Sequence, residues 1–116
     1  MDSPRSRVVS LDSVAGDPIE IDGAQGVTGY PLLELADGTG AFDFRAVRIA
    51  PGGVSADHAH AWEQANYVLE GGGVVYVGDE RHEIGAGDFV YVAPDVRHVF
   101  HAGDAGLALL AARGGR

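Results

Sequence analysis

The sequence predicts an all-β domain, a sandwich or closed barrel of short antiparallel strands, on three observations. Eighteen glycines and five prolines cut the 116 residues into short segments. Those segments are rich in Val, Ile, Leu, Tyr and Phe and alternate with period two, the pattern of a strand with one buried face. No stretch pairs a helix-length apolar stripe with capping residues. Many short strands at even spacing are best closed on themselves, because closure removes the open edges that recruit other chains.

Taken in order, the alternating segments place strands at 6–10, 17–21, 27–36, 41–50, 55–60, 64–70, 73–78, 80–84, 88–92, 98–102 and 107–112. Between them lie clusters of Gly, Asp and Pro that favour reversal: ADGTG at 36–40, PGG at 51–53, EGGG at 70–73, GDE at 78–80, GAGD at 85–88 and HAGDAG at 101–106. No repeat, linker or low-complexity stretch divides the chain, so 1–116 is read as a single domain. The polar segment 1–16 is left with two readings, a flexible arm or a strand added to a partner subunit.

Composition excludes several functions. The formal charge is −9, the eight basic residues are all Arg and none of them cluster, so nucleic-acid binding is not expected. Without cysteine there are neither disulfides nor thiolate ligands, and any tight metal site must come from His, carboxylates or amides. The N-terminal residues lack the apolar core of a signal peptide, and no run approaches the roughly 18 apolar residues of a spanning helix. The expectation is a cytoplasmic protein with no membrane partner.

Chemistry is concentrated in PGGVSADHAHAWEQANYVLEG, residues 51–71. Residues two apart in a strand point the same way, so His58 and His60 present both imidazoles to one face, about 6.5–7 Å apart at the backbone. After a short reversal at Ala61, Trp62 and Glu63, Gln64 can add a third ligand from its own strand. His98, following the turn APDVR, can close the set from the opposite side. Imidazole suits Zn, Fe, Ni, Cu and Mn in varying degree, while an amide oxygen is a neutral ligand that leaves the ion its full double-positive charge. Such a site favours an anionic substrate or a bound hydroxide.

These residues resemble the motifs of the cupin superfamily over about residues 42–102. Gly52, His58, His60, Gln64 and Gly71 fall at the spacings of its first motif, with Gln64 where the family has Glu. Gly87 and His98 fit the second, in which Ala93, Asp95 and Ala102 replace Pro, Gly and Asn. The resemblance implies a jelly-roll β-barrel holding one divalent ion, Zn, Ni, Fe or Mn, on His58, His60, Gln64 and His98. The run HAHAWEQANYVLEG is further similar to small bacterial cupins in which Gln also replaces Glu. Some of these linearise unsaturated uronates and carry Asp-x-Phe on the last strand. Ala111 and Arg113 stand there in this chain, so the likeness extends to the metal set and not to that substrate.

Around the metal set, Asn66 shares parity with Gln64, and Phe100 with His98, which makes both candidates for the substrate-pocket wall. Arg48 alternates with Phe42, Phe44 and Ala46 and is either a substrate-anion anchor inside the barrel or a surface ion pair. Glu63 is the alternative to Gln64. His82, in a charged hairpin, and His101, of opposite parity to His98, are set aside; no catalytic residue is assigned. The leading expectation is an enzyme using its metal as a Lewis acid on a small oxygen-rich metabolite, in isomerisation, cyclisation, dehydration or elimination. The alternatives are an iron-dependent dioxygenase and a non-catalytic binding or sensing module. Strands such as FDFRAVRI and DFVYV are apolar on both faces, and a homodimer is expected from them.

Overall fold

The computed structural model describes residues 5–114. Seven strands form the fold: β1 (Asp17–Pro18), β2 (Gln25–Leu33), β3 (Phe42–Val54), β4 (Glu63–Val77), β5 (Glu80–Gly85), β6 (Phe89–Val92) and β7 (His98–Gly114), with short 3₁₀ turns at Leu11–Ser13 and Leu35–Asp37. All pairings are antiparallel, in the order β1-β2-β3-β7-β4-β5, and β6 pairs with the first part of β4. Among the described residues no helix is long and apolar enough to cross a membrane.

Fewer and longer strands are present than the sequence pattern suggests. The glycine clusters at 51–53, 70–73 and 101–106 do not reverse the chain but lie inside β3, β4 and β7. They are bends. Seventeen extended residues, as in β7, span about 56 Å, whereas the longest dimension of the molecule is 42 Å. All three strands interrupt their register at these clusters, where residues 103–106 of β7 stand opposite Gly72 alone. The glycines are there because the backbones nearly touch: a Cβ on Gly71 would lie 2.0 Å from the Gly106 carbonyl oxygen, and one on Gly73 2.0 Å from that of His101. Bending β3, β4 and β7 together curls one sheet around an interior instead of leaving it flat.

That interior is filled by inward residues of the bent strands and of β6, chiefly Val47, Ile49, Val68, Val75, Val92, Phe100, Leu107 and Leu109. Two expected strands are missing. Residues 6–10 are exposed and irregular, and Arg7 ties this segment to its own chain through the Leu32 carbonyl and Asp37, each at 2.7 Å. Residues 1–4 of the proposed arm lie outside the described residues. Residues 55–60 form no strand either; Ser55 bonds to Phe100 of β7, and beyond it the segment forms one isolated bridge, between His58 and His98. That bridge is what matters for the site.

Candidate metal centre

His58 and His98 are joined backbone to backbone, His98 N donating to His58 O at 2.9 Å and His58 N to His98 O at 3.3 Å. Such a doubly bonded antiparallel pair directs both side chains to the same face. Two residues on, the His60 carbonyl accepts from Asp95 N at 2.7 Å. Asp95 occupies the position where the motif has Gly, and it adopts the left-handed conformation, with φ 65°. Asp is one of the few side chains that tolerate this geometry, so the departure from the motif leaves the turn before His98 intact.

The outcome is a compact cluster in which one ligand-capable atom each of His58, His60 and His98 lies within 4.8 Å of the others. Ring centroids are 4.8–5.1 Å apart. Two of the rings are fixed in tautomer as well as position. His60 Nδ1 lies 2.9 Å from the Trp62 carbonyl and His98 Nδ1 3.0 Å from the Val96 carbonyl. A carbonyl only accepts, so both Nδ1 atoms carry a proton, and it is Nε2 that holds the lone pair in the neutral form of each ring. The His60 ring is further clamped by stacking on Trp62, at 4.4 Å between centroids and 8° between planes.

Electrostatics point the same way. Burial lowers the His98 pKa below its ordinary value, partly opposed by the Val96 carbonyl. Partial burial also lowers that of His58, helped by the neighbouring His98 and His60 rings and by Arg45. Neutral imidazoles are what a cation requires. The donor set, three close imidazoles of which two are turned by their Nδ1 contacts to offer Nε2, therefore fits a divalent ion of the Zn, Ni, Fe or Mn type.

Gln64, Asn66, His58, His98 and Phe100 line one cavity of about 60 Å³, walled by Val47, Ile49 and Leu109 and covered by Ile19, Ile21 and Ala24. Asn66 is fully buried and Phe100 nearly so. Arg48 is elsewhere. It lies on the outer face, half exposed, with its guanidinium 3.6 Å from Glu70, so the interior-anchor reading is wrong and the surface-pair reading right. The inward parity of β3 is that of Asp43, Val47 and Ile49; Phe42 and Phe44, which suggested the opposite register, face outward or lie half-covered. The arginine that lines the cavity is Arg45. Glu63 also points out, accepting from the Tyr91 hydroxyl at 2.6 Å. His82 is exposed beside Glu80, and His101 packs edge-on against Tyr76 away from the cluster.

Sequence reasoning missed three contributors. Arg45 could have been found by counting parity back from Ile49. Asp43 is buried and receives a bidentate bond from Arg113 at 2.9 and 3.0 Å, an inward pair that joins β3 to β7. Trp62, assigned only to the reversal, clamps His60, and nothing in the linear pattern shows that a reversal residue will fold back over a ring two positions earlier.

The profile of the cupin domain family matches residues 45–112. No curated protein matches the chain in sequence. Among solved structures, a polyketide cyclase from Streptomyces resistomycificus superposes with a TM-score of 0.86 at 25% identity, covering 95% of this chain and 80% of the other. A predicted oxalate decarboxylase from Thermotoga maritima gives 0.85 at 26% identity, covering 93% and 98%. A cupin 2 conserved barrel domain protein from Rhodopseudomonas palustris gives 0.81 at 24% identity over 93% and 78%, a likeness of fold alone.

Proposed function

The chain belongs to the cupin domain family, and from that membership we propose that it is a metal-dependent enzyme acting on a small, oxygen-rich and anionic metabolite by isomerisation, cyclisation, dehydration or elimination. The observation that carries this reading is the cluster of His58, His60 and His98, with His60 and His98 preset in tautomer, beside a mostly apolar cavity that His58 and His98 line. A divalent ion held there by these rings and by Gln64 would supply Lewis acidity to a substrate oxygen.

The protein's own residues supply the rest. Phe100, Val47, Ile49 and Leu109 exclude water, which strengthens every charge interaction inside the cavity. Gln64 contributes no negative charge, and Arg45 adds a positive one beside His58, so the pocket attracts an anion. At about 60 Å³ the cavity is far below the roughly 300–1,000 Å³ of a drug-sized site, which restricts the occupant to a few heavy atoms unless the 19–24 segment moves aside. The relatives support the class: polyketides and oxalate, named for the two structures at about a quarter identity, are both oxygen-rich.

Metal analysis of the purified protein, followed by turnover assays on small hydroxy- and oxo-acids with and without chelator, tests the proposal. Zinc, nickel or manganese with chelator-sensitive turnover supports it. Iron with oxygen uptake replaces it by the dioxygenase reading, and tight ligand binding without turnover replaces it by the sensing one. A homodimer is proposed beside it, supported by the exposed outer-face side chains of Tyr67, Phe89 and Tyr91 on neighbouring strands β4 and β6. Light scattering at micromolar concentration checks this, and a clean monomer refutes it.

A further inference from the structure

Among the buried polar side chains, Asn66 is one that the metal cluster does not itself use. It is completely enclosed, on β4 opposite Val90 of β6, and two residues from Gln64 on the same inward face. Its Nδ2 donates to the Val90 carbonyl at 3.2 Å, and its Oδ1 accepts from Gln64 Nε2 at 2.7 Å. The order of this chain is forced from one end. A backbone carbonyl only accepts, so the atom of Asn66 that faces Val90 must be the amide nitrogen. Its oxygen is thereby turned to Gln64, and only the nitrogen of Gln64 can answer it. What remains for the cavity is the Gln64 carbonyl oxygen.

We propose that Asn66 is a positioning residue that presents the oxygen, rather than the nitrogen, of the Gln64 amide to a divalent cation in the histidine cluster. A primary amide has two ends of nearly equal size, and a cation accepts only one of them. A carboxylate has no such problem. Replacing the family's Glu by Gln at position 64 therefore creates a need for orientation that Glu does not have, and Asn66 meets it with a bond anchored in the β6 backbone. The inference rests on the reading of Gln64 as a ligand.

The test is zinc affinity, measured by competition with a chromogenic chelator, on folded protein freed of metal. Asn66→Leu removes both bonds and lets the Gln64 amide turn; the expected loss is about 10- to 100-fold, the usual scale for groups that orient ligands. In the Gln64→Glu background the same Asn66→Leu change should cost less than about threefold, because either oxygen of the carboxylate serves. Asn66→Asp provides a second variant: ionised or protonated, it still accepts from Gln64 Nε2, so affinity should stay at or above that of the parent. Equal losses in both backgrounds, or an Asn66→Asp loss as large as that of Asn66→Leu, would reduce Asn66 to packing and overturn the proposal. Gln64→Leu separates the two layers. If it leaves zinc affinity unchanged, the ligand reading of Gln64 fails first; if it lowers affinity while Asn66→Leu does not, only the positioning role fails.

Discussion

The inner and outer faces of the same three strands carry nearly the same chemistry. Strand β7 has His98 inside and His101 outside, β4 has Gln64 inside and Glu63 outside, and β3 has Arg45 lining the cavity and Arg48 in solvent. Each pair differs by one or three residues, an odd step that turns the side chain to the opposite face. Inside, the residue meets a cavity, a neutral ring or a buried amide. Outside, His101 meets Tyr76, Glu63 meets Tyr91 and Arg48 meets Glu70. Residue type therefore does little to identify the site, and strand parity does most of it.

The largest contrast should come from the histidines. His98→Ala is expected to purify with well under half the parent's metal and a lower melting temperature, since it removes a bond to the ion and leaves a void beside Phe100, and a bound ion stabilises the fold by mass action. His58→Ala and His60→Ala should lose metal likewise. His82→Ala and His101→Ala should keep near-parental metal, with stability within about 0.5 kcal/mol of the parent. Metal analysis across the five variants decides it, and a metal-free His101→Ala beside a loaded His98→Ala would mean that β7 is one residue out of register.

A smaller effect is expected at the amide. Gln64→Glu should retain the metal, because carboxylate is a good ligand for the same ions, while weakening an anionic substrate by lowering the net charge of the site. A lower substrate KM in this variant than in the parent would contradict the electrostatic account. Its outward neighbour supplies the control: Glu63→Gln alters only the bond from Tyr91 and should change neither metal content nor KM.

Acid dependence should be smaller still and of definite sign. His58 and His98 have folded-state pKa values below the ordinary 6.5. The unfolded chain therefore takes up protons near that pH while the folded chain does not, and stability rises with pH through this range. Metal-free protein should lose stability as the pH falls below about 6.5 towards the lowered values, in a window above the range where carboxylates titrate. Melting curves between pH 7 and 5.5 should show a weaker pH slope for His98→Ala than for the parent; equal slopes would remove His98 as a cause.

The same comparison shows how much the sequence disclosed. Parity was readable in β7 and β4, where unbroken alternation leads from His98 to Phe100 and from Gln64 to Asn66, and so the cluster and cavity wall were legible. It was left open in β3 because two aromatics, Phe42 and Phe44, suggested one interior face, while the smaller Val47 and Ile49 define the other. The three glycine clusters read as turns because local propensity does not distinguish a reversal from a bend. That distinction depends on a neighbouring strand bending at the same level, as Gly71 against Gly106 shows. Tautomers and the direction of the Asn66 bond depend on carbonyls of Val96, Trp62 and Val90, which have no signature in the sequence.

Least should follow from Arg48→Ala, the outward member of the third pair. The Arg48 guanidinium and the Glu70 carboxylate are 3.6 Å apart and at least half exposed, so water screens their attraction and holding two long side chains together costs entropy. Exposed pairs of this kind contribute roughly 0–1 kcal/mol. The variant should therefore melt within about 2–4 °C of the parent, bind metal equally well and turn over substrate with unchanged KM. Arg45→Ala should behave differently: Arg45 lines the cavity and its charge acts on His58, so losing it should raise the KM for an anionic substrate while leaving the histidine cluster able to bind metal. Steady-state kinetics of the two variants on one anionic substrate settles which arginine faces the chemistry. A raised KM for Arg48→Ala with no change for Arg45→Ala would reverse the inner and outer faces of β3.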